Sequence, residues 1–224
     1  MKKIIFLFIF IPVIALSQSS YNLALVGSYD WSSASYDSEG SDIWGWKNPN
    51  TGIEYALVGL NSGFSVVDLS SPQNPTESFF IPGVNTTWRD IKTWGNYAYV
   101  INEGGDGLLI VDLTDLTGQT YINHTTHFNT AHNIYIDENG VAYIFGSDIG
   151  NGGAIFLDVD ANPMNPSYLG TWDDYYIHDG MVRGDTLWSG CIYEGEFYAV
   201  DVSDKSNPIV LGHHLTPNQF THNI

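Results

Sequence analysis

One pattern recurs four times along this chain and constrains its fold more than anything else in it. Each copy is a short apolar run, an aspartate, one aliphatic residue and a polar turn. The copies run from Phe64 to Pro75, Leu108 to Leu116, Ala154 to Pro166 and Phe197 to Pro208, and three of the four turns end in Asn-Pro. The anchoring aspartates are Asp68, Asp112, Asp158 and Asp201, spaced 44, 46 and 43 residues apart. Self-similarity at about 40–50 residues marks a repeat architecture, and four short strands per repeat make one blade of a β-propeller. The expected fold is therefore all-β: a β-propeller of four-stranded blades.

Repeat units are expected near 41–81, 88–128, 131–172 and 177–214. Glycine-rich punctuation such as Asn61-Ser-Gly63 and Gly104 to Gly107 reads as hairpin turns. No 3.6-residue apolar stripe is sustained, so no long helix is expected. Residues 21–29 resemble the segments after the Asn-Pro turns and read as an outer strand without its own blade. Thr221-His-Asn-Ile224 copies Ala131-His-Asn-Ile134 and reads as the opening strand of a fifth unit. The expectation is thus an incomplete propeller, about four blades plus the first strand of a fifth.

The opening Met1-Lys-Lys3, the apolar run Ile4 to Leu16 and the small residues Ala15 and Ser17 form a secretory signal peptide over residues 1–17. The remainder, 18–224, is the propeller segment. The leader is not expected to serve as a membrane anchor, because its apolar run is short and holds Pro12, and no transmembrane segment is expected in the mature chain. The formal net charge is −18, and losing Lys2 and Lys3 takes it to −20. With so few basic residues there is no patch to release counterions, which excludes nucleic-acid binding through phosphates. Cys191 is the one cysteine, so no intrachain disulfide forms, and its apolar strand makes it buried filler.

Aligning the starts of the units gives a polar column: Ser41-Asp42, Arg89-Asp90, His132-Asn133, His178-Asp179 and His222-Asn223. The second members lie 48, 43, 46 and 44 residues apart. A column held at the repeat period occupies one place in every blade, and the first strand of a blade lines the central channel. His132, His178 and His222 with the neighbouring carboxylates could ligate a divalent cation. The plainer reading is architectural, with polar side chains satisfying backbone groups around the channel. Asp158-Val-Asp-Ala-Asn162 has the alternating oxygens of a calcium loop but lacks its central glycine and final glutamate, so an Asx turn explains it better. Asp173 and Asp174 read as a solvated loop. No Gly-x-Ser-x-Gly nucleophile elbow is present. The seven tryptophans are expected mostly between blades.

Asp42-Ile-Trp-Gly-Trp46, Glu54-Tyr-Ala-Leu-Val-Gly59, Trp88-Arg-Asp-Ile-Lys92, Ala131-His-Asn-Ile134 and Tyr176-Ile-His-Asp179, with the four Asp lines, resemble the choice-of-anchor B family. These are exported bacterial proteins built from LVIVD repeats. The resemblance implies a β-propeller secreted or displayed at the cell surface, its C-terminal anchor varying between members; it supplies fold and location but no reaction. The expected function is a binding module for a protein or carbohydrate ligand. The alternative is a metal-dependent hydrolase using the axial His/Asp cluster.

Overall fold

The structure, a computed structural model, describes residues 22–31, 34–36 and 39–224. The signal-peptide segment, residues 1–17, lies outside the described residues. Among the described residues, sixteen strands form four antiparallel sheets, each of four consecutive strands in chain order. Blade 1 holds β1 (Gly40–Lys47), β2 (Glu54–Leu60), β3 (Gly63–Asp68) and β4 (Thr76–Pro82). Blade 2 holds β5 (Arg89–Trp94), β6 (Tyr97–Asn102), β7 (Leu108–Asp112) and β8 (Tyr121–His124). Blade 3 holds β9 (Asn133–Ile136), β10 (Val141–Phe145), β11 (Ala154–Asp158) and β12 (Ser167–Trp172). Blade 4 holds β13 (Asp179–Arg183), β14 (Thr186–Cys191), β15 (Glu196–Asp201) and β16 (Ile209–Leu215). The first strands touch in succession, β1 to β5, β5 to β9 and β9 to β13, so they line the propeller axis as an arc.

The repeated aspartate has a local job. It ends the third strand of each blade, and its carboxylate accepts the backbone N–H two residues on: Asp68 from Ser70 at 2.6 Å, Asp112 from Thr114, Asp158 from Asp160 and Asp201 from Ser203, each at 2.9 Å. This is an Asx turn, a side chain standing in for the backbone where the sheet must reverse. It accounts for Asp158 without calcium. The aliphatic residue that follows turns inward. Leu113, Val159 and Val202 are fully buried, each in a core shared by two blades.

The middle strands are apolar on both faces because each blade is covered on both. In β6, Ala98 and Val100 pack toward blade 1, while Tyr99 and Ile101 pack toward blade 3. In β10, Ala142 and Ile144 face blade 2, while Tyr143 and Phe145 face blade 4. Trp46 and Trp172 are buried as expected, but Trp44, Trp88 and Trp188 are exposed. Indole N–H groups still bridge blades: Trp44 donates to Thr93 and Trp46 to the Gly95 carbonyl. Trp94 likewise donates to Asp160. Cys191 is buried and its thiol is pushed up to about 12 by burial, which keeps it protonated and inert.

Residues 22–30 form no strand, contrary to the expectation, because no inner sheet beside them offers a ladder. They nevertheless sit where an outer strand sits. A Cβ on Gly27 would lie 2.1 Å from the Pro72 carbonyl oxygen, as one on Gly170 of β12 would lie 1.8 Å from that of Lys205. Pro72 and Lys205 each stand four residues after a turn aspartate. The segment continues over the free face of blade 1, where Tyr29, Trp31 and Tyr36 pack on Val58, Leu60 and Val67. One oxygen of Glu77 fastens it, accepting from Trp31 at 3.0 Å, Tyr36 at 2.6 Å and Ser65 at 2.6 Å. Hydrogen bonds to a carboxylate are each worth about 1.5–3 kcal/mol. Glu77→Ala should release the segment at a cost of about 2 kcal/mol, with a red-shifted tryptophan emission from Trp31. An unchanged emission spectrum would show that the carboxylate does not hold it.

Candidate functional site

The polar column converges on one end of the inner strands. Asp42 accepts from the Ile91 N–H at 3.2 Å, and Asp90 accepts from the Ile134 N–H at 3.0 Å. Each aspartate thus reaches the backbone of the next blade, one residue past that blade's own column position. Asp90 also accepts from its neighbour Ile91 N–H at 2.7 Å and from Lys92 Nζ at 2.9 Å. Lys92 lies over the Trp44 ring, 4.5 Å from its centroid. Asp179 accepts from the Asn223 amide at 2.7 Å. These contacts tie successive blades through backbone groups.

Arg89 is buried and turned away from the axis. Its guanidinium donates to the carbonyls of Leu60 at 3.0 Å and Val84 at 2.8 Å, and burial pushes its pKa down to about 10. Asn133, with Ser41, Asp42, Trp88, Arg89, Asp90 and His132, lines an open depression of about 200 Å³.

The three histidines come together as a row of rings. Centroids are 4.1 Å apart for His132 and His178, and 4.1 Å for His178 and His222. Trp88 extends the row at one end, 6.0 Å from His132, and Phe220 at the other, 5.7 Å from His222. Nδ1 of each imidazole donates: His132 to Glu103 at 2.6 Å, His178 to the His222 carbonyl at 2.9 Å, and His222 to the Asn223 side-chain oxygen. That tautomer leaves the Nε2 lone pairs as acceptors. Among the described residues no three His, Cys, Asp or Glu side chains are grouped to hold a metal ion. Asp173 accepts from the N–H groups of Asn151 and Gly153, and Asp174 accepts from the Trp172 indole, so this pair stabilises its loop.

Sequence reasoning missed Trp88, Glu103 and Phe220. Trp88 stands one residue before its column position and Phe220 two before His222, so adjacency to the column was their available signal. Glu103 has no counterpart at the repeat period and carried none.

The titrations at this site oppose one another. Burial, then the hydrogen bond and charge of Asp90, raise Asp42 to about 7. Burial also raises Asp179. The stability these protonated carboxyls contribute is full below the ordinary carboxylate range and is lost as pH rises through their raised values. His178 is lowered by burial and then by its two imidazole neighbours, and His127 is lowered by burial. Their neutral rings contribute stability above the usual imidazole range, lost as pH falls through the depressed values. Thermal midpoints should therefore peak at mildly acidic pH and fall on both sides; a flat profile from about pH 4 to 9 would contradict this.

The LVIVD repeat family matches residues 54–81, 87–122 and 192–216. No curated protein matches the chain. Among solved structures, AztD of Citrobacter koseri is similar at 15% identity and a TM-score of 0.49, over 72% of this chain and 44% of that one. This chain therefore spans under half the length of AztD. A chain of a nidogen/laminin complex is similar at 9% identity and a TM-score of 0.40, over 76% and 79%. A GH43_1 enzyme of Xanthomonas citri complexed with xylose is similar at 10% identity and a TM-score of 0.43, over 80% and 75%. Among the described residues no helix is long and apolar enough to cross a membrane. The chain is an all-β propeller segment of four four-stranded blades and carries LVIVD repeats.

Proposed function

We propose that the protein is an exported binding module of the choice-of-anchor B type, displayed at the bacterial surface, and that the ring row from Trp88 to Phe220 is its recognition surface. One observation carries this reading. Trp88 and Phe220 are 54% and 62% exposed, so these rings are spent on no core, while the imidazoles between them present unused acceptors. Exposed aromatic rings beside fixed polar groups are what protein and carbohydrate interfaces select. Export rests on the tripartite leader over residues 1–17.

Hydrolysis assisted by a cation at His132, His178 and His222 is the weaker reading, because the rings lie side by side, tilted by 51° and 48°, with Nδ1 already engaged. The test uses isothermal titration calorimetry with a panel of neutral oligosaccharides, peptides and Zn²⁺. Binding heat lost in both Trp88→Ala and His178→Ala supports the reading. Binding that survives both substitutions rejects it. Binding of Zn²⁺ alone, abolished by His132→Ala, would favour the metal site. Mass spectrometry should find a mature N-terminus at Gln18; a soluble cytoplasmic product retaining Met1 would reject export.

A further inference from the structure

We infer that a cleft on blade 3, beside the link that enters it, is a second binding site, built to take one neutral pyranose ring of a carbohydrate. It is separate from the axial row and does not rest on the function proposed there. Its floor is the cross-strand pair Ile155 and Thr171 of β11 and β12. Tyr168 and His127, their rings stacked with centroids 5.9 Å apart, form one wall together, with Thr126 beside them on the link that enters blade 3. Ile149 and Asp173 close the ends, and the cavity measures about 200 Å³.

The link that enters blade 3, residues 125–132, brings Thr126 and His127 to the edge of the cleft. The floor lacks the rings that blades 1 and 4 carry at the equivalent pair. Three residues before the turn aspartate, blade 1 pairs Ser65 with Phe80, and blade 4 pairs Tyr198 with His213. In blade 1 Tyr36 stacks on Phe80 at 3.8 Å, and in blade 4 Tyr198 stacks on His213 at 5.0 Å, so rings fill the place. Blades 2 and 3 have no ring there, pairing Leu109 with Asn123 and Ile155 with Thr171, and in blade 3 the space stays open.

The lining selects the ligand. The volume lies below the roughly 300–1,000 Å³ of drug-sized sites, so it takes a single ring. Ile149, Ile155 and Tyr168 offer an apolar surface for the C–H face of a sugar. Thr126, Thr171 and Asp173 offer oxygens to its hydroxyls. His127 is held toward its neutral form by burial, and its ring stacks between His124 at 5.4 Å and Tyr168 at 5.9 Å. Asp173 is then the charged group of the cleft, which disfavours an anion. A lone tyrosine is too few rings for a quaternary-ammonium cage.

Saturation-transfer NMR on the full chain with methyl glycosides of glucose, galactose, mannose and xylose tests the site. At least one glycoside should bind in the millimolar range, with transfer to its ring protons. Tyr168→Ala should weaken it about tenfold. Tyr168 is 52% exposed, so this variant should keep its unfolding midpoint; if it does not, Ile149→Ala, at a 51% exposed residue, takes its place. No transfer to any glycoside at about 20 mM overturns the inference, as does binding indifferent to both substitutions. Tighter binding of tetramethylammonium or acetate than of every glycoside also overturns it.

Discussion

Replacing Asp90 by alanine should lower the unfolding free energy by about 3–5 kcal/mol, the cost of leaving a buried charged partner uncompensated. Asp90 is 7% exposed and receives the Ile134 N–H, the Ile91 N–H and Lys92. Alanine would strand the Ile134 N–H of blade 3 and leave the Lys92 ammonium without its carboxylate. Loss also reaches Asp42, whose raised pKa owes part of its shift to Asp90. Denaturant melts at several pH values check both effects. Asp90→Ala should reduce stability and flatten its decline as pH rises through about 7. Asp90→Asn keeps an acceptor for the backbone and should cost less. Equal losses for the two variants would mean that charge, and not the hydrogen bond between blades, is what matters.

Gly170→Ala should cost at least about 3 kcal/mol, beyond ordinary overpacking, because the new methyl would meet the Lys205 carbonyl oxygen at 1.8 Å. The methyl is fixed to the backbone and the oxygen belongs to it, so no rotamer change relieves the clash and blades 3 and 4 must part. The matched control is Gly212→Ala. Gly212 occupies the corresponding place in β16, and a Cβ there meets nothing within 4 Å. That substitution should be close to neutral. A Gly170→Ala protein as stable as Gly212→Ala would show that the blades do not pack through this glycine.

The fold was legible because its main determinant is local. Each of Asp68, Asp112, Asp158 and Asp201 reverses its own chain, so four copies in the sequence became four turns in space. The site was legible only as a column. Periodicity placed His132, His178 and His222 at equivalent positions, but ring orientation depends on Glu103, Asn223 and the His222 carbonyl, which follow no period. The same limit applies to the tryptophans. Trp46 and Trp44 lie two residues apart on β1, yet one is buried and the other exposed at 41%. Residues 22–30 were legible by likeness to an outer strand, but pairing needs a partner that a sequence segment cannot carry within itself. The cleft beside Thr126 and His127 depends on which cross-strand pair carries rings, and that signifies something only once the register is known.

The row of rings also has a fixed zero. Successive imidazoles spaced 4.1 Å apart would let a ligand with repeating groups slide by one ring and lose little. At blade 2 the column holds Arg89, whose guanidinium withdraws to the carbonyls of Leu60 and Val84, and the indole of Trp88 stands at the end of the row instead. A larger ring of different shape breaks the equivalence of neighbouring positions. On the proposed reading a linear ligand would have one register against this surface, counted from Trp88.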